Sequence, residues 1–187
     1  MCGRCGLAVE AAPGQALTAD AIEGGFAALP YTGVGRRLVV ALKFARLRSA
    51  AELAAALIDE RAPPALLDGV LVPVPASPLR RARRGMNPAQ EIAVALAERT
   101  GLGAEEPLRR RDLRRQRGGG RVRRMRRPPR IEAVAAAPEI AILVDDVVTT
   151  GATVDACARA LRLGGAPRVR ALALAAVPPL DGPRRGA

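Results

Sequence analysis

Four segments of the chain have the apolar spacing or the composition of helices. Apolar residues recur every three or four positions in the first and last of them, and the middle two are rich in Ala and Leu. The third has Asn87 as a candidate N-cap, Pro88 at its first position and Gly101 as its stop. The predicted helices cover residues 34–46, 50–62, 87–100 and 152–163.

Three short apolar runs between these helices predict buried strands. They lie at residues 69–75, 140–144 and 169–177, and each is too short for a helix of ordinary length. Strands that alternate with helices predict an α/β fold with a mostly parallel sheet flanked by helices. Such sheets bind ligands at the carboxyl ends of their strands.

The charge of the chain is concentrated in one segment. The net charge is +12, but residues 109–130 hold twelve arginines and one acid, Asp112, which leaves +1 for the rest. This segment has no regular apolar period and contains Gly118–Gly120, so it predicts a mobile basic loop. Three aromatic residues in 187 make a stacking platform for single-stranded nucleic acid a weak expectation.

Histidine and cysteine usage excludes several kinds of site. The chain has no histidine, which rules out Ser-His-Asp and Cys-His nucleophile systems. Three cysteines are too few for a disulfide scaffold, and Cys157 lies on the apolar face of a predicted helix, where it would pack in the core. With no apolar run of spanning length and no signal segment, we expect a cytoplasmic protein without membrane insertion.

The strongest candidate site follows the 140–144 strand. Asp145 and Asp146 come directly after this apolar run, and Thr149–Thr153 forms a loop of small residues that opens the last predicted helix. Free N–H groups at a helix start bind anions, and Gly151 would let the chain approach a ligand closely. Phosphate in the loop and hydroxyls on the acids suit a ribose 5-phosphate. The alternative is an ordinary strand–turn–helix capped by Asp and Thr.

Residues 141–153 resemble the phosphoribosyl-diphosphate (PRPP) motif of type I phosphoribosyltransferases. The resemblance implies that fold, with Asp145 and Asp146 holding the ribose hydroxyls and Mg²⁺ accompanying PRPP. The PRPP-binding residues it implies are Asp145, Asp146, Val147, Val148, Thr149, Thr150, Gly151, Ala152 and Thr153.

Three further blocks are similar to the ComF/GntX-like branch of that superfamily. They are Tyr31–Phe44, Leu71–Ala89 and Leu108–Arg124, and the similarity runs from about residue 30 to 175. The resemblance implies a pyrophosphate side made by Lys43, Pro75, Arg80 and Arg84, with Arg84 also catalytic, because arginine binds phosphate oxygens in bidentate fashion. Arg83 is a further candidate there.

The basic segment corresponds to the flexible loop of this branch, with Arg111, Gln116, Arg121 and Arg124 as its implied functional residues. It would either close over PRPP and exclude water, or contact nucleic acid phosphates. Gly119 and Arg127 depart from the pattern of the family at positions that bear on loop closure.

The amino terminus resembles half of the zinc ribbon of this branch. Cys2 and Cys5 supply two thiolates, whereas structural zinc needs four ligands. Zinc would bind if the ribbon were completed upstream or by a second chain. We therefore expect a ribbon remnant at 1–17, a phosphoribosyltransferase-like domain at 18–177 and a disordered tail at 178–187.

Two functions remain open at this stage. One is an enzyme that transfers phosphoribosyl from PRPP to an acceptor, with Mg²⁺ and release of pyrophosphate. The other is a non-catalytic PRPP-sensing or single-stranded-DNA-binding module that acts with competence proteins, a link that the resemblance to ComF implies.

Overall fold

The computed structural model describes residues 9–44, 48–111 and 129–178. Numbered in chain order, the strands and α-helices discussed below are β1 (Gln15–Leu17), β2 (Gly24–Pro30), α1 (Gly33–Phe44), α2 (Arg48–Arg61), β3 (Val70–Pro73), α3 (Pro78–Arg84), α4 (Pro88–Thr100), β4 (Leu108–Arg111), β5 (Arg130–Ala133), β6 (Ile140–Val148), α5 (Ala152–Leu163) and β7 (Arg168–Ala176).

The central sheet has five strands in the order β1-β2-β7-β6-β3. Strands β2, β7, β6 and β3 are parallel, and β1 is antiparallel to β2 at the edge. This confirms the predicted α/β class with a mostly parallel sheet. The carboxyl ends of β3 and β6 are neighbours, since Pro73 pairs with Val144.

Helices cover both faces of this sheet. On one face α1, α2 and α4 pack against Ile142, Val144 and Leu172. On the other face α5 packs against Leu143 and Ala171. Because both faces of β6 are buried, its apolar run is continuous and does not alternate. No helix in the described part of the chain has the length and apolar character needed to span a bilayer.

Strand β2 lies inside the sheet although its sequence contains Gly24, Gly25 and Pro30. A Cβ atom at Gly25 would lie 2.8 Å from the carbonyl oxygen of Ala171 and 3.0 Å from Cβ of Leu17. Glycine is therefore required by the close approach of β1 and β7 on either side of it. The apolar pattern did not predict this strand, because its strand propensity is low and its pairing partners are distant in the sequence.

Three expectations about boundaries need correction. Strand β1 belongs to the main sheet, so residues 15–17 are not part of a separate amino-terminal remnant. The ends of the segment 109–130, expected to be an irregular loop, form an antiparallel pair in which Arg111 lies opposite Arg130. Residues 78–84, for which no helix was predicted, form helix α3, and Pro78 occupies its first position, where proline is favoured.

Candidate active site

The two acids lie within strand β6 and not after its end, where the predicted strand at 140–144 placed them. The strand continues past them to Val148, where the carbonyl oxygen accepts a hydrogen bond from the N–H of Val177 (2.9 Å). Asp146 is buried, and Asp145 is half-buried. Successive strand residues point to opposite faces, but the two carboxyl groups remain close enough to share a side-chain hydrogen bond.

Asp146 faces the helices α1, α2 and α4 and contacts Lys43. The ammonium of Lys43 lies 2.7 Å from Oδ2 of Asp146, and the two side chains are 17% and 12% exposed. Lys43 is in the last turn of α1, where a cation also favours the helix dipole. The resemblance placed Lys43 on the pyrophosphate side; its contact in the structure is with Asp146, for which the resemblance implies a ribose-binding role.

Asp145 faces α5 and is close to Cys157. Oδ1 of Asp145 accepts a hydrogen bond from the backbone N–H of Asp146 (2.8 Å). Loss of hydration raises the pKa of Asp145 well above its ordinary range, and the charge of Asp146 raises it further. The buried Cys157 thiol has a raised pKa for the same reason, and Asp145 adds to that effect. The expectation that Cys157 packs in the core is met, because the residue is fully buried.

The turn after β6 leads directly into helix α5. Thr149 and Thr150 are exposed, and Gly151 has a φ of 74°, which favours glycine. The N–H of Asp155 donates to the carbonyl oxygen of Gly151 (2.8 Å), which begins the helical hydrogen bonds. The N–H groups of Ala152 to Val154 precede that bond and therefore have no acceptor within the helix. This is the arrangement of an anion-binding helix start.

A segment between β1 and β2 is tied to helix α5, at its first turn by Asp155 and from its last turn by Arg162. Oδ1 of Asp155 accepts the N–H of Ala21 (3.0 Å), and Nε of Arg162 donates to the carbonyl oxygen of Ala21 (2.9 Å). The carbonyl oxygen of Thr18 would lie 3.5 Å from a Cβ atom placed on Gly151. Sequence reasoning missed this wall of the site, because these contacts join residues more than 130 positions apart.

The loop after β3 is held by Asn87. Nδ2 of Asn87 donates to the carbonyl oxygen of Val74 (3.0 Å), and the residue is buried. Asn87 does occupy the N-cap position of α4, but its side chain makes no capping bond. The loop includes Pro75, which is half-buried, and leads to α3, which carries Arg80, Arg83 and Arg84. The side chains of these arginines are outside what the structure describes.

The remaining predicted residues are not brought to the acids by the described structure. Arg111, on β4, pairs with Glu132 of β5 at 2.6 Å on the protein surface. Gln116, Arg121, Arg124, Cys2 and Cys5 lie outside the described residues. Between residues 9 and 178, excluding the undescribed segments, no three acids or cysteines converge as a metal site would require.

The chain is similar to a few solved structures and to no known family or curated sequence. Neither the protein-family profiles nor the curated protein sequences match the chain. Among solved structures, an allosteric regulatory enzyme of purine biosynthesis aligns at 23% identity with a TM-score of 0.45, over 66% of this chain and 25% of that one.

A second solved structure is glutamine PRPP amidotransferase from B. subtilis, complexed with ADP and GMP. It aligns at 21% identity with a TM-score of 0.46, over 71% of this chain and 27% of the other. The chain thus corresponds to about a quarter of the length of either enzyme. TM-scores this low do not establish a common fold.

Proposed function

We propose that the chain is a phosphoribosyltransferase-like protein of the ComF type that binds PRPP with Mg²⁺ and transfers its phosphoribosyl group to an acceptor. The observation that carries the proposal is the continuity of the site. Asp145 and Asp146 lie near the carboxyl end of β6, and the Gly151 turn then presents the free N–H groups of α5 at the same edge of the parallel sheet.

Each part of the ligand has a chemical partner in this arrangement. The 5-phosphate would accept hydrogen bonds from the first N–H groups of α5 and from the hydroxyls of Thr149, Thr150 and Thr153. The ribose hydroxyls would donate to Asp145 and Asp146. The bond from C1 to the pyrophosphate oxygen would break with its electron pair leaving on pyrophosphate. A bond from C1 to the acceptor would form as the acceptor loses its proton.

The pyrophosphate would lie near the loop after β3. That loop follows β3, which neighbours β6 in the sheet, and the Asn87–Val74 bond fixes the start of the loop. Arg80 and Arg84 on α3 would neutralise the charge that develops on the leaving pyrophosphate, with Arg84 in the catalytic role.

The donor set suits a metal ion that arrives with the substrate. Mg²⁺ takes oxygen ligands, keeps several waters and is commonly held by one or two carboxylates together with substrate phosphates. Asp145 and Asp146 could supply such carboxylates, and the described residues offer no larger cluster of acids. When bound, Mg²⁺ would offset the charge of the pyrophosphate.

Calorimetric titration of PRPP with Mg²⁺ into the protein tests the proposal. The Asp145→Asn/Asp146→Asn variant should lose about 100-fold or more in affinity, because two hydrogen bonds to charged groups contribute about 1.5 kcal/mol or more each. The control Asp59→Asn/Glu60→Gln also removes two adjacent carboxylates, but from α2. Equal binding by all three proteins, or none by the wild type, would refute a PRPP site at these acids.

A second candidate is a PRPP-sensing or single-stranded-DNA-binding module of the competence machinery. The observation that favours it is the twelve arginines of residues 109–130, of which Arg109, Arg110 and Arg111 start the hairpin on β4. DNA affinity should fall steeply with salt and fall again when the arginines of 121–127 are replaced by glutamine. Pyrophosphate release with any acceptor would favour the enzyme instead.

A further inference from the structure

Lys43 reaches the candidate site from a direction that separates it from the pyrophosphate loop. Helix α1 packs over β7 and β2. In the sheet, β7 and β3 lie on opposite sides of β6. The loop with Pro75 follows β3, so Lys43 approaches β6 from the other side. A lysine in this place is poorly sited to follow a pyrophosphate group near α3.

The ion pair with Lys43 occupies one oxygen of Asp146, Oδ2. Oδ2 is inaccessible to solvent, and no described residue makes a hydrogen bond to it with good geometry. The ammonium of Lys43, 2.7 Å away, nevertheless offsets its charge. Because Oδ2 is inaccessible, the 12% of the Asp146 side chain that remains exposed lies on its other atoms, among which Oδ1 is the oxygen that a ligand would contact. The pair thus fixes which edge of the carboxylate faces the site.

The choice of residue type fits a tight contact. The chain has 30 basic residues, and Lys43 is the one lysine among them. An ammonium is a compact charge on a flexible stem, whereas a guanidinium is a wide planar fork. In a space where both side chains are more than four-fifths buried, the ammonium can approach Oδ2 without displacing β6.

We propose that Lys43 is a positioning residue for ribose recognition, acting through Asp146. Its ammonium holds Oδ2 so that Oδ1 is presented to the ribose hydroxyls. The proposal rests on the proposed PRPP function and differs from the expectation that Lys43 binds pyrophosphate. In this scheme Lys43 itself does not contact the ligand. Replacing Lys43 should therefore not change ligand affinity in a protein that already lacks the Asp146 carboxylate.

Two ligands and a double-mutant cycle test the proposal. PRPP and ribose 5-phosphate, each with Mg²⁺, are titrated into the wild type, Lys43→Met, Asp146→Asn and the double variant. Lys43→Met should weaken both ligands by the same factor, about tenfold for one misplaced hydrogen bond. The double variant should bind like Asp146→Asn alone. Arg37→Met removes an exposed cation from the same helix and is the matched control.

Other outcomes overturn the proposal in recognisable ways. If Lys43→Met weakens PRPP but leaves ribose 5-phosphate unchanged, Lys43 contacts the pyrophosphate directly. If Lys43→Met costs as much affinity in the Asp146→Asn background as in the wild type, it does not act through Asp146. In both cases the PRPP site itself stands. If the wild type binds neither ligand, the proposed function has failed. The double variant has no unpaired buried charge, so its ligand affinity can be compared with that of Asp146→Asn even if Lys43→Met does not fold.

Discussion

The ion pair between Lys43 and Asp146 should also stabilise the fold. Replacing Lys43 by Met removes one partner and leaves the carboxylate of Asp146 buried without a counter-charge. Breaking a buried pair in this way costs about 3–5 kcal/mol. Because the two side chains retain 17% and 12% of their exposure, we expect the lower end, about 3 kcal/mol of unfolding free energy.

The double variant Lys43→Met/Asp146→Asn should recover most of this loss, since it buries no unpaired charge. We expect a coupling energy of about 2 kcal/mol between the two sites. For a chain of this size, 3 kcal/mol corresponds to a fall of about 6–12 °C in Tm.

Urea denaturation followed by circular dichroism measures all four proteins of this cycle. Arg37→Met, exposed on the same helix, should unfold like the wild type. If Lys43→Met lowers the unfolding free energy by less than about 1 kcal/mol, the level of an exposed pair, then Asp146 is not effectively buried. Strictly additive effects would show that the two side chains do not interact.

Three further changes have outcomes set by single contacts. Asn87→Ala should lower the unfolding free energy by about 1–3 kcal/mol in urea titrations, because it deprives the carbonyl of Val74 of its buried donor; no change would show that the bond is dispensable. Gly151→Ala should cost about 1–2 kcal/mol through its φ of 74° and not through crowding, and Gly151→Asn should cost less in the same assay because Asn tolerates this conformation. The raised pKa of Asp145 means that the folded state favours the protonated carboxyl, so the wild type should lose stability as pH rises from about 3.9 through the folded-state pKa. Over that pH range the unfolding free energy of Asp145→Asn should rise relative to that of the wild type. Parallel pH profiles of the two proteins would contradict this expectation.

The sequence predicted the elements whose signal is local. Helix α5 matches its predicted bounds, and α1, α2 and α4 begin and end within about two residues of theirs. Strand β6 was predicted four residues too short because the apolar run stops at Val144, although backbone pairing with β7 continues to Val148. Hydrophobic periodicity cannot show a strand that carries two carboxylates in its interior.

Strands that have no local sequence signal were found only in the tertiary structure, where they pair with distant strands. Strand β2 has two glycines and a proline, and it forms because β7 offers a parallel partner and β1 closes over Gly25. Strand β4 is Leu-Arg-Arg-Arg and has no apolar alternation, and β5 alternates over only four residues, which is too short a pattern to predict a strand. Their pairing crosses a long connecting segment, which sequence spacing does not reveal.

The candidate site divides in the same way. The order of residues from Asp145 to Thr153 determines which groups stand beside one another at the end of a buried strand, because those groups are adjacent in the chain. The sequence does not determine that the acids face opposite helices, that Lys43 neutralises one of them, or that Asn87 holds the loop after β3. Those contacts depend on how distant elements pack, and packing is decided by the burial of the whole core.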